Sequence, residues 1–131
     1  GAQGWGDISV AASENVKFLG HVEERFLSGL YAAASVMAYP SLWEGFGLPV
    51  LEAMAQGTPV VTSELISTQE VAGGAAVLVD PRSAESIQHG IRTALADRAS
   101  LSQRGLERAA HATWSKTAQL TAAAYDEVIA Q

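Results

Sequence analysis

Glu44 and Glu52 flank the seven residues Gly45-Phe46-Gly47-Leu48-Pro49-Val50-Leu51. Gly45 and Gly47 give the main chain angles closed to other residues and let a ligand come close to it. Pro49 is the residue type that opens a helix, and Gly57 the type that closes one. The N–H groups of Phe46, Gly47 and Leu48 then sit at the positive end of that helix, where an anion such as a diphosphate is held. A carboxylate repels phosphate but accepts hydrogen bonds from vicinal hydroxyls. Glu44 and Glu52 therefore suit a hexose and a ribose on either side of the phosphates, which together describe a sugar nucleotide. A plainer reading of Glu52 is a first-turn carboxylate that complements the helix dipole on a solvated surface. Glu44, ahead of the helix in a Gly-Phe-Gly turn, has no such structural role.

The elements that must position these residues alternate in type. Residues 16–19, 36–39, 59–62 and 76–79 are short, apolar and β-branched, and read as strands. Between the first two, residues 23–35 place Phe26, Leu27, Leu30, Tyr31 and Ala34 on one helical face; between the next two lies the helix of residues 49–56. In that helix Val50 and Met54 fall together, Leu51 and Ala55 sit beside them, and Glu52 and Gln56 share the polar side. This alternation predicts an α/β domain with a parallel sheet covered by helices. Residues 83–131 read as helical. Ser83 caps a helix bearing Ile87, Ile91 and Leu95, and Ser100 and Gln103 have the spacing of a capping box. Thr113 starts a last helix with Leu120, Ala124, Tyr125 and Val128 on its buried side.

Composition narrows the classes. The chain of 131 residues is one domain, 48 % hydrophobic and 17 % charged, which is the balance of a packed protein. A net charge of −6 leaves no basic stripe for nucleic acid. The absence of cysteine removes disulfides, thiol nucleophiles and thiolate metal sites. No apolar run approaches the ~18 residues of a membrane span and no signal-peptide pattern is present, so a cytoplasmic protein is expected. His21, His89 and His111 lack ligand spacing, so no metal site is expected. His89 and His111 read as solvent-facing, and His21 as a surface residue or a neighbour of the nucleotide. Glu70 reads as a capping residue of a short helical turn. Trp43 reads equally as a wall of the sugar site or as core, and Trp5 and Trp114 as anchors of the chain ends. The glycines of residues 1–6 do not form the dinucleotide fingerprint.

The block from Tyr39 to Ser63 resembles the C-terminal, nucleotide-sugar-binding domain of retaining GT-B glycosyltransferases of the group 1 / family 4 type. The resemblance is carried by the paired glutamates and by Val16-Lys17-Phe18-Leu19-Gly20-His21-Val22, Tyr39-Pro40-Ser41 and Gly57-Thr58-Pro59-Val60-Val61-Thr62-Ser63. Glu70-Val71-Ala72-Gly73, Val77-Leu78-Val79-Asp80-Pro81 and Thr113-Trp114-Ser115 extend it over nearly the whole chain. It implies a partial Rossmann-like domain, the C-terminal half of a GT-B fold, followed by C-terminal helices. It further implies that Glu44 is the catalytic-site carboxylate on the transferred sugar. Gly45, Phe46, Gly47 and Leu48 would hold sugar and diphosphate, Glu52 the ribose, and the main chain at His21 and Val22 would border the base. The donor is a nucleotide-diphosphate sugar, with no cofactor and no metal required.

The same resemblance implies that the family's first strands, their diphosphate-neutralising arginine and lysine, and the N-terminal acceptor domain are not part of this sequence. The strand at 16–19 is then expected to pair directly with that at 36–39, to pair with another copy in a homo-oligomer, or to leave exposed edges. Transfer by these residues alone is expected to be negligible, because the cleft forms between two domains. Peripheral membrane association is compatible with a longer parent. Three other functions compete: a glycoside hydrolase using Glu44 and Glu52 as acid and nucleophile, a non-catalytic nucleotide-binding module, and an epimerase of the same architecture.

Overall fold

Three short parallel strands form the centre of the computed structural model, which describes residues 14–130. Strand β1 is Met37–Tyr39, β2 Val60–Ser63 and β3 Val77–Val79, in the order β1-β2-β3. Tyr39 lies opposite Thr62, and Thr62 opposite Leu78. Helices α1 Glu24–Ala33, α2 Leu48–Ala55, α3 Ile66–Ala72, α4 Ala84–Ala96, α5 Arg98–His111 and α6 Trp114–Ile129 complete the chain. The strands form where β-branched residues cluster, and parallel neighbours require the helical crossovers that separate them.

Successive strand residues point to opposite faces, so β2 serves two cores. Val60 packs with Val50, Ala53 and Met54 of α2, Val71 and Ala72 of α3, and Ala75. Val61 packs on the other side with Val79, Ala94 of α4 and Leu101 of α5, flanked by Ile87 and Ile91. Burial of each large side chain here stabilises the fold by about 1.5–3 kcal/mol. Helix α4 lies flush on the sheet: a Cβ added at Gly90 would stand 2.4 Å from Val79 Cγ1. Helix α5 then crosses α2 closely, and the same atom at Gly105 would be 3.2 Å from Met54 Cγ.

Several expectations are corrected. Residues 16–19 form no strand, and Val16, Phe18 and Leu19 are exposed. An apolar alternation marks a strand only when a ladder partner lies alongside, and among the described residues none does. Phe26 and Leu30 of α1 are also exposed, because α1 packs mainly against α2. Ser83 does cap α4, its hydroxyl accepting Ser86 N–H at 3.1 Å. Ser100 does not open α5: one non-helical residue, Asp97, separates α4 from α5, so Ser100 already lies inside the helix. Glu70 lies within α3 rather than at its start. Thr113 caps α6 as expected, yet Leu120, Tyr125 and Val128 are exposed and no residue of α6 is buried. Trp114, 81 % exposed, anchors nothing. Trp5 and the glycines of residues 1–6 lie outside the described residues.

No helix of the described residues is long and apolar enough to cross a membrane.

Candidate functional site

The two glutamates occupy the carboxyl edge of the parallel sheet, where open α/β sheets bind ligands. Strand β1 ends at Tyr39, and the chain turns through Pro40–Gly47 before entering α2 at Leu48. Gly47 caps α2 with φ of 97° and ψ of 41°, a left-handed conformation that any other residue type would strain. Pro49 falls in the first turn, and Gly57, also left-handed, follows the helix end. Glu44 therefore precedes the N-terminus of α2, and Glu52 projects from its second turn on the exposed side.

Each glutamate is held by a tyrosine that the sequence reading did not single out for the site. Tyr39 O–H donates to Glu44 Oε1, and the Ser41 hydroxyl shares its hydrogen between the same oxygen at 3.1 Å and the Trp43 carbonyl at 3.0 Å. Tyr31 O–H, from the last turns of α1, donates to Glu52 Oε2 at 3.1 Å. Burial, the hydrogen bond to Glu44 and that carboxylate's charge push the Tyr39 phenol up to about 12. The charges of Tyr31 and Glu52 add to the rise, so the four side chains form one electrostatic cluster. Burial and then Glu52 raise Tyr31 in the same direction. These partners lie 5 and 21 residues apart in sequence, and no local spacing signals the longer pairing.

Main-chain donors complete the site. Val50 N–H closes the first turn onto the Gly47 carbonyl at 3.0 Å. Among the described residues, the N–H groups of Gly45, Phe46, Gly47 and Leu48 donate to no protein acceptor. They surround the positive end of α2, a ready anion site. Trp43, 90 % exposed, and the exposed Phe46 and Leu48 rim this corner, so Trp43 is not core. Ser67 of α3 pins the corner from below by donating to the Glu44 carbonyl at 3.0 Å.

The expected base region is less well joined. His21 is exposed and Val22 half-buried, just ahead of α1. The rise of α1 leaves about 10 Å of helix between its start and Tyr31. No hydrogen bond or ion pair among the described residues joins His21 to the glutamates. His89 and His111 are exposed, and no group of three potential metal-ligating side chains occurs among the described residues.

Residues 9–112 match the family described as Glycosyl transferases group 1. The chain is 42 % identical over 113 residues to O-antigen chain mannosyltransferase B of Escherichia coli, covering 84 % of this chain and 30 % of that protein. It is 37 % identical over 112 residues to MMP alpha-(1->4)-mannosyltransferase of Mycolicibacterium hassiacum, covering 80 % and 27 %. Sucrose-phosphate synthase from Thermosynechococcus elongatus superposes with a TM-score of 0.75 at 33 % identity, covering 87 % of this chain and 30 % of that one. The chain thus spans about a third or less of the length of these relatives. The family and these relatives are transferases or synthases, which gives no support to the hydrolase alternative.

Proposed function

The chain belongs to the group 1 glycosyl transferases, and from that premise we propose that it is the donor-binding part of a retaining hexosyltransferase. The observation that carries the reading is the corner itself. Amides of Phe46, Gly47 and Leu48 that have no partner among the described residues sit at a helix N-terminus, between two carboxylates held by Tyr39 and Tyr31. The amides receive the diphosphate, Glu44 accepts from hydroxyls of the transferred sugar, and Glu52 accepts from the ribose. The main chain at His21 and Val22 borders the base.

In the transition state the bond from the anomeric carbon to the diphosphate oxygen breaks and negative charge grows on the leaving group. Donors already aimed at that charge stabilise it without reorganisation. The α2 terminus fills this role, and the reading calls on no metal. Retention follows when the acceptor oxygen enters on the face the diphosphate leaves and passes its proton to the departing diphosphate oxygen, through an oxocarbenium-like state that the Glu44 carboxylate helps to stabilise. Acceptor choice lies outside this site, so the chain by itself binds donor with negligible transfer.

Calorimetric titration with GDP-mannose, UDP-glucose and ADP-glucose tests the reading, the first because two relatives are mannosyltransferases. One of these sugar nucleotides should bind, and Glu52→Gln should weaken it about tenfold, as expected for the loss of a charged hydrogen bond. Failure of all three to bind, or an unchanged affinity in Glu52→Gln, refutes the assignment.

A further inference from the structure

We propose that Tyr39 and Ser41 are positioning residues that hold Glu44 by one carboxylate oxygen, so that the other is presented to the donor sugar. The inference rests on the donor-binding reading above and assigns how its catalytic-site carboxylate is aimed. The Tyr39 hydroxyl donates to Oε1, and the Ser41 hydroxyl divides its one hydrogen between Oε1 at 3.1 Å and the Trp43 carbonyl at 3.0 Å, while Oε2 accepts from no group among the described residues. A carboxylate oxygen has two lone-pair directions. When the Ser41 hydrogen is turned to Glu44, two donors fill Oε1 and fix the plane of the carboxylate, leaving both directions of Oε2 open. A single donor would leave the group free to rotate about its last bond, because that torsion is broad.

The two positioning residues are themselves held by buried hydroxyls. Thr62 Oγ1 donates to the Tyr39 carbonyl at 3.1 Å, and Ser63 Oγ to the Ser41 carbonyl at 2.5 Å. Thr68 Oγ1 donates to the Ser63 carbonyl at 2.6 Å, and Ser67 Oγ to the Glu44 carbonyl at 3.0 Å. The buried polar side chains among the described residues are Thr58, Thr62, Ser63 and Thr68, and none lacks a partner. Thr58 serves the other pair, donating to the Tyr31 carbonyl at 2.6 Å.

Valine or alanine at these places would fill similar volume without burying a hydroxyl, whose desolvation must be compensated. Thr58, Thr62 and Ser63 spend their hydrogen bonds on the carbonyls of Tyr31, Tyr39 and Ser41, and Thr68 on that of Ser63, while the half-buried Ser67 holds that of Glu44. A chain of hydrogen bonds thus runs from the sheet core through Ser63 and Ser41 to one carboxylate oxygen. Its product is orientation, which is the requirement for a group that must meet sugar hydroxyls at hydrogen-bond distance.

The test compares affinities of the full chain for GDP-mannose and for GDP, or for UDP-glucose and UDP, using the pair that the wild-type chain binds. The ratio between the two isolates the sugar contribution. Tyr39→Phe and Ser41→Ala should each lower this ratio about fivefold to tenfold with the nucleotide affinity unchanged, and Ser41→Thr should restore it. Equal weakening of both ligands would show a merely structural role and overturn the proposal, as would an unchanged ratio. A second readout needs no ligand. In a Tyr125→Phe background, Glu44→Gln should shift the highest phenolate transition in an absorbance titration to lower pH. An unmoved transition also overturns it. Wild-type chain that shows the phenolate shift yet binds neither ligand pair refutes the donor reading rather than the hydrogen bonds.

Discussion

Replacing Gly90 by alanine sets helix propensity against packing, and the distances decide the sign. Alanine is favoured over glycine in a helix interior by about 1 kcal/mol. The new methyl would meet Val79 Cγ1 at 2.4 Å and Val61 Cγ1 at 3.2 Å. Carbon atoms pack best near 3.5–4.0 Å, so α4 must back off by roughly 1 Å or Val79 must leave its rotamer. Val79 is β-branched and buried in β3, which leaves it little freedom. Overpacking of this kind costs about 1–3 kcal/mol. Less the propensity gain, the range is about 0–2 kcal/mol, and because the 2.4 Å contact is with a rigid buried side chain, Gly90→Ala should destabilise towards its upper end in urea unfolding followed by circular dichroism. Val79→Ala is destabilising alone, but in the double variant it should relieve the clash, giving a favourable coupling of about 1 kcal/mol. The contact lies on the face of the sheet away from α2, so donor affinity at saturating folded fraction should not change. A Gly90→Ala variant as stable as wild type, or a double variant that is simply additive, would refute the packing argument.

Three further outcomes are expected. Arg108 donates from Nε to the Val71 carbonyl and from Nη2 to the Glu70 carbonyl, both at 2.8 Å, and so caps the end of α3; Arg108→Met should cost about 1–2 kcal/mol in urea unfolding. Arg108→Lys should recover only part, since lysine lacks the fork. Thr58→Val should cost about 1 kcal/mol, the low end for a buried bond, because Ala34 N–H still serves the Tyr31 carbonyl at 2.9 Å. For Tyr39 the folded value of about 12 lies above the ordinary 10.0. Its contribution is complete below pH 10.0 and is lost as pH rises towards about 12. The urea midpoint should fall across that window, and Tyr39→Phe should flatten the fall.

What could be read from the chain was local. Pro49 and Gly57 punctuate α2 with short-range rules, and the apolar positions within it followed from a single period, as Val50 and Met54 confirm by complete burial. The β-branched pair Val60-Val61 marked the central strand for the same reason. Residues 16–19 carry an equally good local pattern and form no strand, because a ladder is a non-local bond and pattern alone cannot supply its partner. The stripe Leu120, Tyr125, Val128 shows the converse: periodicity identified a helix correctly but not whether anything covers its apolar face.

The site divides along the same line. A carboxylate in a glycine turn before a helix is conspicuous in sequence, so both glutamates and the amide corner were legible. Tyr31 reaches Glu52 from 21 residues away, and Ser67 reaches Glu44 from 23. Such residues read as ordinary members of a helix face until the fold is known. The seven-residue gap between the glutamates also acquires a physical meaning. It spans the remainder of a turn and the first turn of α2, so the helix terminus lies between the two acids. Shortening or lengthening that gap by one residue would rotate Glu52 by about 100° about the helix axis, away from Tyr31, while leaving Glu44 and its partners in place. The spacing is thus the distance at which one helix can offer its amides to an anion and still keep an acid on each side of it.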